Sequence, residues 1–397
     1  MLTDRVASMS RRPIALVLAG GVALGAYEAG AYAGLHEAGA DGPLSWIASS
    51  SIGSVNAAII AGTEHDRRVD ALRRFWEANA TDPLPLQTFW FGRPSAGPGR
   101  VAYNAAGIVE TLLFGRPGLF RLRIAPGAHA GAADTSALYD LEPLRRSLEA
   151  VVDFDRLNGG ALRLSVAATD VVTGERVVFD TAKTRVGPEH ILASCALLPI
   201  FAPVEVGGRL LADGGLSSNT PLDLILDEAA SSEFTCLAVD LFAGEGSRPH
   251  GLAASASRAA DVAFANQTRN LLEGRRREYQ LRSLIGRLGD RLPSGLREDP
   301  EAASILAEAR TGGAQLAFLS YRAAPDEVGL FKLFDFSRAT LEDRWQAGLC
   351  DMQSALRRLE QASGDEGLGL NVEEIPASMR FPVGNPAALG SSLAPAA

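Results

Sequence analysis

The chain has 397 residues, 47% of them hydrophobic and 21% charged, with 41 glycines, which suits a soluble globular fold with many tight strand-to-helix turns. Its formal charge of -9 excludes general nucleic-acid binding, which needs basic surface to neutralise phosphates. Three cysteines (Cys195, Cys236, Cys350), odd in number and far apart, fit a reducing compartment and neither a disulfide frame nor a zinc site.

Residues 1–12 read as a flexible N-terminus. The segment from Pro13 to Leu35 carries one charge, Glu28, behind Arg11 and Arg12, and so has the outline of an export signal or membrane span. Glycines at 20, 21, 25, 30 and 34 interrupt it, and its removal would delete the first strand; a cytoplasmic protein with peripheral membrane contact is expected instead. Ile14 to Leu18 is an apolar run of the kind buried on both faces of a parallel sheet. It leads into the loop Gly20 to Gly25 and then a helix whose ridge of Ala26, Gly30 and Gly34 predicts close packing on the sheet. A second unit follows the same plan: a strand at Trp46-Ile47-Ala48, a turn at Ser51, and a helix to about Ala61, followed by a helix from Arg67 to Asn79.

From 82 to 133 the pattern breaks into a proline-rich, loop-rich insertion with aromatic clusters, read as a lid or lipid-facing surface or as an apolar flap over the core. Beyond it come a helix near Leu141 to Val152, a strand at Leu162 to Ala168, a turn at Thr173-Gly174 into Arg176 to Phe179, and a helix around His190 to Ala196. Leu210-Leu211-Ala212 ends at Asp213; Asn219-Thr220-Pro221 predicts a helix N-cap, and Cys236 to Asp240 another buried strand. Residues 252 to 292 read as a long helix with Arg269, Arg275, Arg276, Arg277, Arg282, Arg287 and Arg291. Its stripe of Leu281, Leu284, Ile285, Leu288 and Leu292 is expected to face the core, the other reading being a basic helix lying on an anionic membrane. A late strand at Gln315 to Tyr321 and a helix from Ala339 to Ala362 complete a helical extension over 246–365, leaving 366–397 as a disordered tail.

The chemistry converges on Ser51. Small residues on either side, at a strand-to-helix switch, are what a nucleophile elbow requires, and the helix N-terminus beyond it favours developing negative charge. A serine needs a base and its oxyanion needs preorganised N–H donors. The base candidate is Asp213, where Gly214 and Gly215 permit close approach; the donors are the backbone amides of Gly20, Gly21 and Val22. An aspartate with a reference pKa near 3.9 is a weak base, so burial would have to raise it. None of the five histidines (36, 65, 129, 190, 250) lies in a recognisable catalytic loop; only His250 follows Asp213, in a surface-type stretch, which disfavours a triad. Nucleotide binding by the first strand and loop fails on spacing, because Val22 stands at the second glycine of G-x-G-x-x-G. Asp170 reads as shaping a turn, Asp240 as no metal ligand, and Cys195 as a buried apolar residue.

These segments resemble the patatin-like phospholipase family. The resemblance rests on Leu18 to Tyr27 as an oxyanion loop including Gly25, Ser51-Ile52-Gly53 with Asn56-Ala57-Ala58, and Ala168-Thr169-Asp170. It continues in Ala193-Ser194 with Leu198-Pro199, and in Asp213-Gly214-Gly215 with Asn219 and Pro221. Leu319 to Trp345 is similar to a C-terminal extension of a bacterial branch of the family. The resemblance implies an α/β three-layer sandwich with a mostly parallel central sheet and helices on both faces, over 13–245. It implies hydrolysis of lipid acyl esters by a Ser51–Asp213 dyad without cofactor or metal. Membrane contact would fall on 86–120 or on the basic helix 269–291; oligomeric state is left open. Val22 and Ser49 stand where the family usually has glycine, and Leu24 where it often has arginine or lysine. The second reading is therefore a lipid-binding or regulatory relative with little turnover.

Overall fold

Alternation along the first strand sets the architecture: in β1 (Ile14–Leu18) the residues Ile14, Leu16 and Leu18 feed one apolar core while Ala15 and Val17 feed another on the opposite face. A computed structural model describes residues 12–123, 137–228, 234–246, 248–249, 251–309, 314–323, 327, 329–362 and 370–375. Residues 1–11 of the expected N-terminal segment (1–12), residues 124–133 of the insertion, most of the tail, His129 and His250 lie outside these residues.

In chain order the further strands are β2 (Leu44–Ser50), β3 (Arg121–Leu122), β4 (Tyr139–Asp140), β5 (Arg163–Asp170), β6 (Arg176–Asp180), β7 (Val204–Val206), β8 (Arg209–Asp213), β9 (Phe234–Asp240), β10 (Ala314–Ser320) and β11 (Leu370–Ile375). Nine of them form one sheet, ordered β11-β10-β9-β1-β2-β5-β8-β7 with β6 also on β5. All pairs from β11 to β5 are parallel, whereas β6, β8 and β7 join antiparallel. On one face lie the helices Gly25–Glu37, Ile52–Ala61 and Arg338–Ala362, and on the other Leu222–Glu228 and part of Leu252–Asp290. This is the three-layer α/β sandwich expected. Among the described residues no helix is long and apolar enough to cross a membrane.

Four expectations change. The described part of the 82–133 insertion, residues 82–123, is not mainly loop: it holds helices Pro85–Phe91 and Gly97–Phe114, because Pro85 and Pro98 occupy first-turn positions where no backbone N–H is needed. Residues 370–375, assigned to the tail, form the parallel edge strand β11. The glycine ridge of helix Gly25–Glu37 meets a helix rather than the sheet: a side chain on Gly30 or Gly34 would collide with the backbone of Trp345 or Leu349, and one on Gly348 with the carbonyl of Tyr27. Finally, the stripe of the long helix does not face the core. Leu281, Leu284, Ile285 and Leu288 are all exposed, Leu288 by 68%.

Candidate active site

Register brings the site together. β1 and β2 run side by side, so the loop after Leu18 and the turn after Ser50 emerge at one edge. Ser50 pairs with Ala167 of β5, and Ala168 pairs with Asp213, which places Ser51 and Asp213 at one level across β5. Asp213 arrives on an antiparallel strand.

Ser51 sits at φ 53° and ψ -126°, as the N-cap of helix Ile52–Ala61. A left-handed, non-glycine residue stores roughly 1–3 kcal/mol of strain and persists only where its surroundings hold it. Gly53 is one restraint: its amide donates to the Ala19 carbonyl at 3.2 Å, and a Cβ there would lie 2.5 Å from the Leu18 carbonyl oxygen. Gly25 allows the same closeness to Ile52.

The Ser51 hydroxyl donates to Asp213 Oδ2 at 2.5 Å, and Asp213 Oδ1 accepts the Gly215 amide at 2.7 Å. Gly214 packs tightly against β5, where a Cβ would meet the Ala167 carbonyl. Asp213 is only 3% exposed, and burial pushes its pKa up to about 6 against the opposing pull of those two hydrogen bonds. Among the described residues no histidine contacts either group. His190 is buried elsewhere, its Nδ1 accepting the Gly187 amide.

The glycine loop departs from expectation in one respect. The Gly20 amide already donates to the Asn219 carbonyl at 3.2 Å, while Asn219 Nδ2 donates back to the Gly20 carbonyl at 3.2 Å. Asn219, expected as an N-cap, is instead a clamp on this loop, and the helix it was to cap begins only at Leu222. Gly21 and Val22 open the short 3-10 turn Val22–Leu24, whose first amides have no partner within the turn. Among the described residues neither amide has an acceptor. Val22 itself sits at φ 50°, a conformation that glycine adopts freely and a β-branched residue does not.

Two roles escaped the sequence. The Ser51 amide donates to Ser194 Oγ at 2.8 Å, and Ser194, Ser54 and Ser49 form a buried chain with Oγ–Oγ distances of 3.0 Å ending on the Ser165 carbonyl. Its direction follows by elimination: Ser49 donates to the carbonyl and Ser54 to Ser49, so Ser194 donates to Ser54 and accepts the Ser51 amide. Ser49, standing at a usual glycine position, therefore has a partner of its own. Behind the glycine loop, the fully buried Arg344 donates from Nη1 to the Ala23 carbonyl at 3.0 Å and from Nη2 to Glu327 at 2.8 Å. The serines were visible as residues, but their pairings span too much chain to be read from spacing.

The remaining candidates keep their bland roles. Asp170 Oδ1 accepts the Val172 and Thr173 amides and shapes the β5–β6 turn, Asp240 is buried against the Phe242 amide, and Cys195 is a buried thiol whose pKa burial pushes up. Beside Ser51 lies an apolar cavity of about 30 Å³, lined by Val22, Ile52, Leu119, Phe120, Leu197 and Phe201 among others. Leu119 and Phe120 come from the 82–133 insertion. The same insertion exposes Phe89, Trp90 and Phe91, the last by 86%.

Comparison with known proteins agrees with this architecture at the level of family. Residues 16–226 match the patatin-like phospholipase family, and residues 262–365 match a second family described as patatin phospholipase. No curated protein sequence matches. Among solved structures, VipD from Legionella pneumophila is similar at 12% identity and a TM-score of 0.39, covering 87% of this chain and 67% of that one. The type III effector protein ExoU aligns at 14% identity and a TM-score of 0.25 (90% and 76%), and human GIVD cytosolic phospholipase A2 at 12% and 0.27 (82% and 49%). With the first family matched across more than half its length, the chain belongs to the patatin-like phospholipases, hydrolases of lipid esters.

Proposed function

We propose that the protein is a serine acyl hydrolase in which Ser51 attacks the ester carbonyl and Asp213 takes its proton. The observation that carries this reading is the 2.5 Å hydrogen bond from the Ser51 hydroxyl to a buried carboxylate whose pKa is raised towards neutrality. The oxyanion is held by the Gly21 and Val22 amides, assisted by the N-terminus of helix Ile52–Ala61. Gly20 frames the loop without donating, since its amide is committed to Asn219. Asp213 returns the proton to the leaving alcohol, then activates the water that releases the fatty acid and restores Ser51. Cleavage of a long-chain ester requires the apolar cavity to widen by movement of Leu119 and Phe120, because about 30 Å³ holds roughly one water. The lipid surface is met by Phe89, Trp90 and Phe91 and by the basic helix with its exposed leucines.

Reaction with a fluorophosphonate probe, followed by peptide mapping, tests the reading. Label on Ser51, absent from Ser51→Ala together with turnover of a fluorogenic acyl ester, is the expected result. A folded protein that binds lipid yet neither labels nor turns over would be the regulatory relative that Val22, strained at φ 50°, otherwise suggests.

A further inference from the structure

A cluster that the hydrolase chemistry does not use lies at the sheet edge opposite Ser51. Helix Gly25–Glu37 carries His36 in its last turn, the chain then turns through Asp41 into β2, and His65 follows shortly after helix Ile52–Ala61. That ten-residue helix has Ser51 at its other end, about 15 Å away at 1.5 Å per residue.

Three groups converge on one oxygen. Asp41 Oδ2 lies 2.8 Å from His36 Nδ1, 3.0 Å from His65 Nε2 and 2.9 Å from the Tyr32 hydroxyl. Among the described residues no lysine or arginine pairs with this carboxylate, whose side chain is 2% exposed. Two of the three, Tyr32 and His36, have hydrogen-bond geometry and fill the two lone-pair directions of that oxygen, whereas His65 Nε2 is as close without being aligned as a donor to it. Its ring nitrogen is thus left beside the carboxylate and the His36 ring, and with an ion present Tyr32 alone need donate while both imidazoles offer lone pairs. Such convergence of two imidazoles and a carboxylate is the donor set of a transition-metal site. Donor atoms 2.8 and 3.0 Å apart, each about 2.1 Å from a common centre, subtend angles of roughly 90° there. The rings are tilted at 51° rather than stacked, and His65, 54% exposed, leaves the remaining positions open to water.

We propose that His36, Asp41 and His65 bind a divalent first-row transition-metal ion with water completing its coordination, and with Tyr32 orienting the Asp41 carboxylate as its outer hydrogen-bond partner. The ion joins the ends of two helices to the entry of β2 and takes no part in ester cleavage.

The test uses the full chain treated with a chelator and then dialysed. Titration with Co²⁺ is expected to give saturable visible absorption at one ion per chain, displaced by Zn²⁺, and Zn²⁺ is expected to raise the melting temperature. His36→Gln and His65→Gln keep a polar side chain beside Asp41 but remove an imidazole ligand; each should melt near the metal-free wild type and lose the metal response. Absence of saturable Co²⁺ or Zn²⁺ binding by the wild type at millimolar metal, or binding that survives in both variants, overturns the site. Ester turnover should be the same before and after chelation, so the hydrolase reading stands or falls separately.

Discussion

Asp213 is poised between two demands. As the base of the proposed reaction it must be ionised, yet its site disfavours the charge, so kcat/KM should fall as pH drops through about 6, with a single ionisation on the acid limb. A profile flat from pH 5 to 8 would remove Asp213 from the mechanism. The same shift acts on stability. Because the folded state holds this proton more tightly than the unfolded chain, the group's stabilising contribution is present below the unfolded value of 3.8 and is lost as pH rises through about 6. Asp213→Asn should therefore be nearly inactive and, in urea unfolding at pH 8, more stable by up to about 3 kcal/mol, a difference that shrinks towards zero below pH 4. That Ser51 and Asp213 would meet was legible in the sequence because their signatures are local: small residues around one, two glycines after the other. The Gly20 amide was misjudged because its acceptor lies 199 residues away, on Asn219.

The elbow and the insertion each carry a prediction at the level of elements. Helix Ile52–Ala61 presents Ser51 correctly only while the strained turn is held by its amide. Ser194→Ala removes that amide's acceptor and leaves a buried N–H unpaired, a loss of about 1–3 kcal/mol in stability. We expect kcat to fall about tenfold with KM little changed, and Ser49→Gly, two hydroxyls further along, to do less; equal effects in kcat and KM would argue against positioning. For helix Pro85–Phe91, the double variant Trp90→Ser/Phe91→Ser should weaken sedimentation with phosphatidylcholine vesicles at least tenfold. Hydrolysis of a soluble short-chain ester should be unaffected, and unchanged vesicle binding would reassign the surface. The aromatic cluster was readable from sequence, but its division was not: which residues end up lining the cavity and which face solvent depends on how helix Gly97–Phe114 docks, and no periodicity encodes that.

Across the whole molecule, the two family segments form one mechanical object. Arg344, in the second, reaches 321 residues back to the Ala23 carbonyl and also donates to the carbonyls of Lys332 and Asp335. Arg344→Met would take the guanidinium away from Glu327, which also accepts from the Tyr321 hydroxyl, and should lower stability by about 3–5 kcal/mol, with loss of turnover; adding Glu327→Gln should restore part of the stability, as chemical denaturation would show. The strands and helices were legible from apolar runs and glycine punctuation, but this coupling was not, because a buried arginine looks in sequence like any surface charge. A practical consequence follows from the glycines at which helices Gly25–Glu37 and Arg338–Ala362 touch backbone to backbone. Neither half can be exchanged alone for that of a relative: a chimera will fold only if both helices are inherited together, so natural variation in one is expected to track variation in the other.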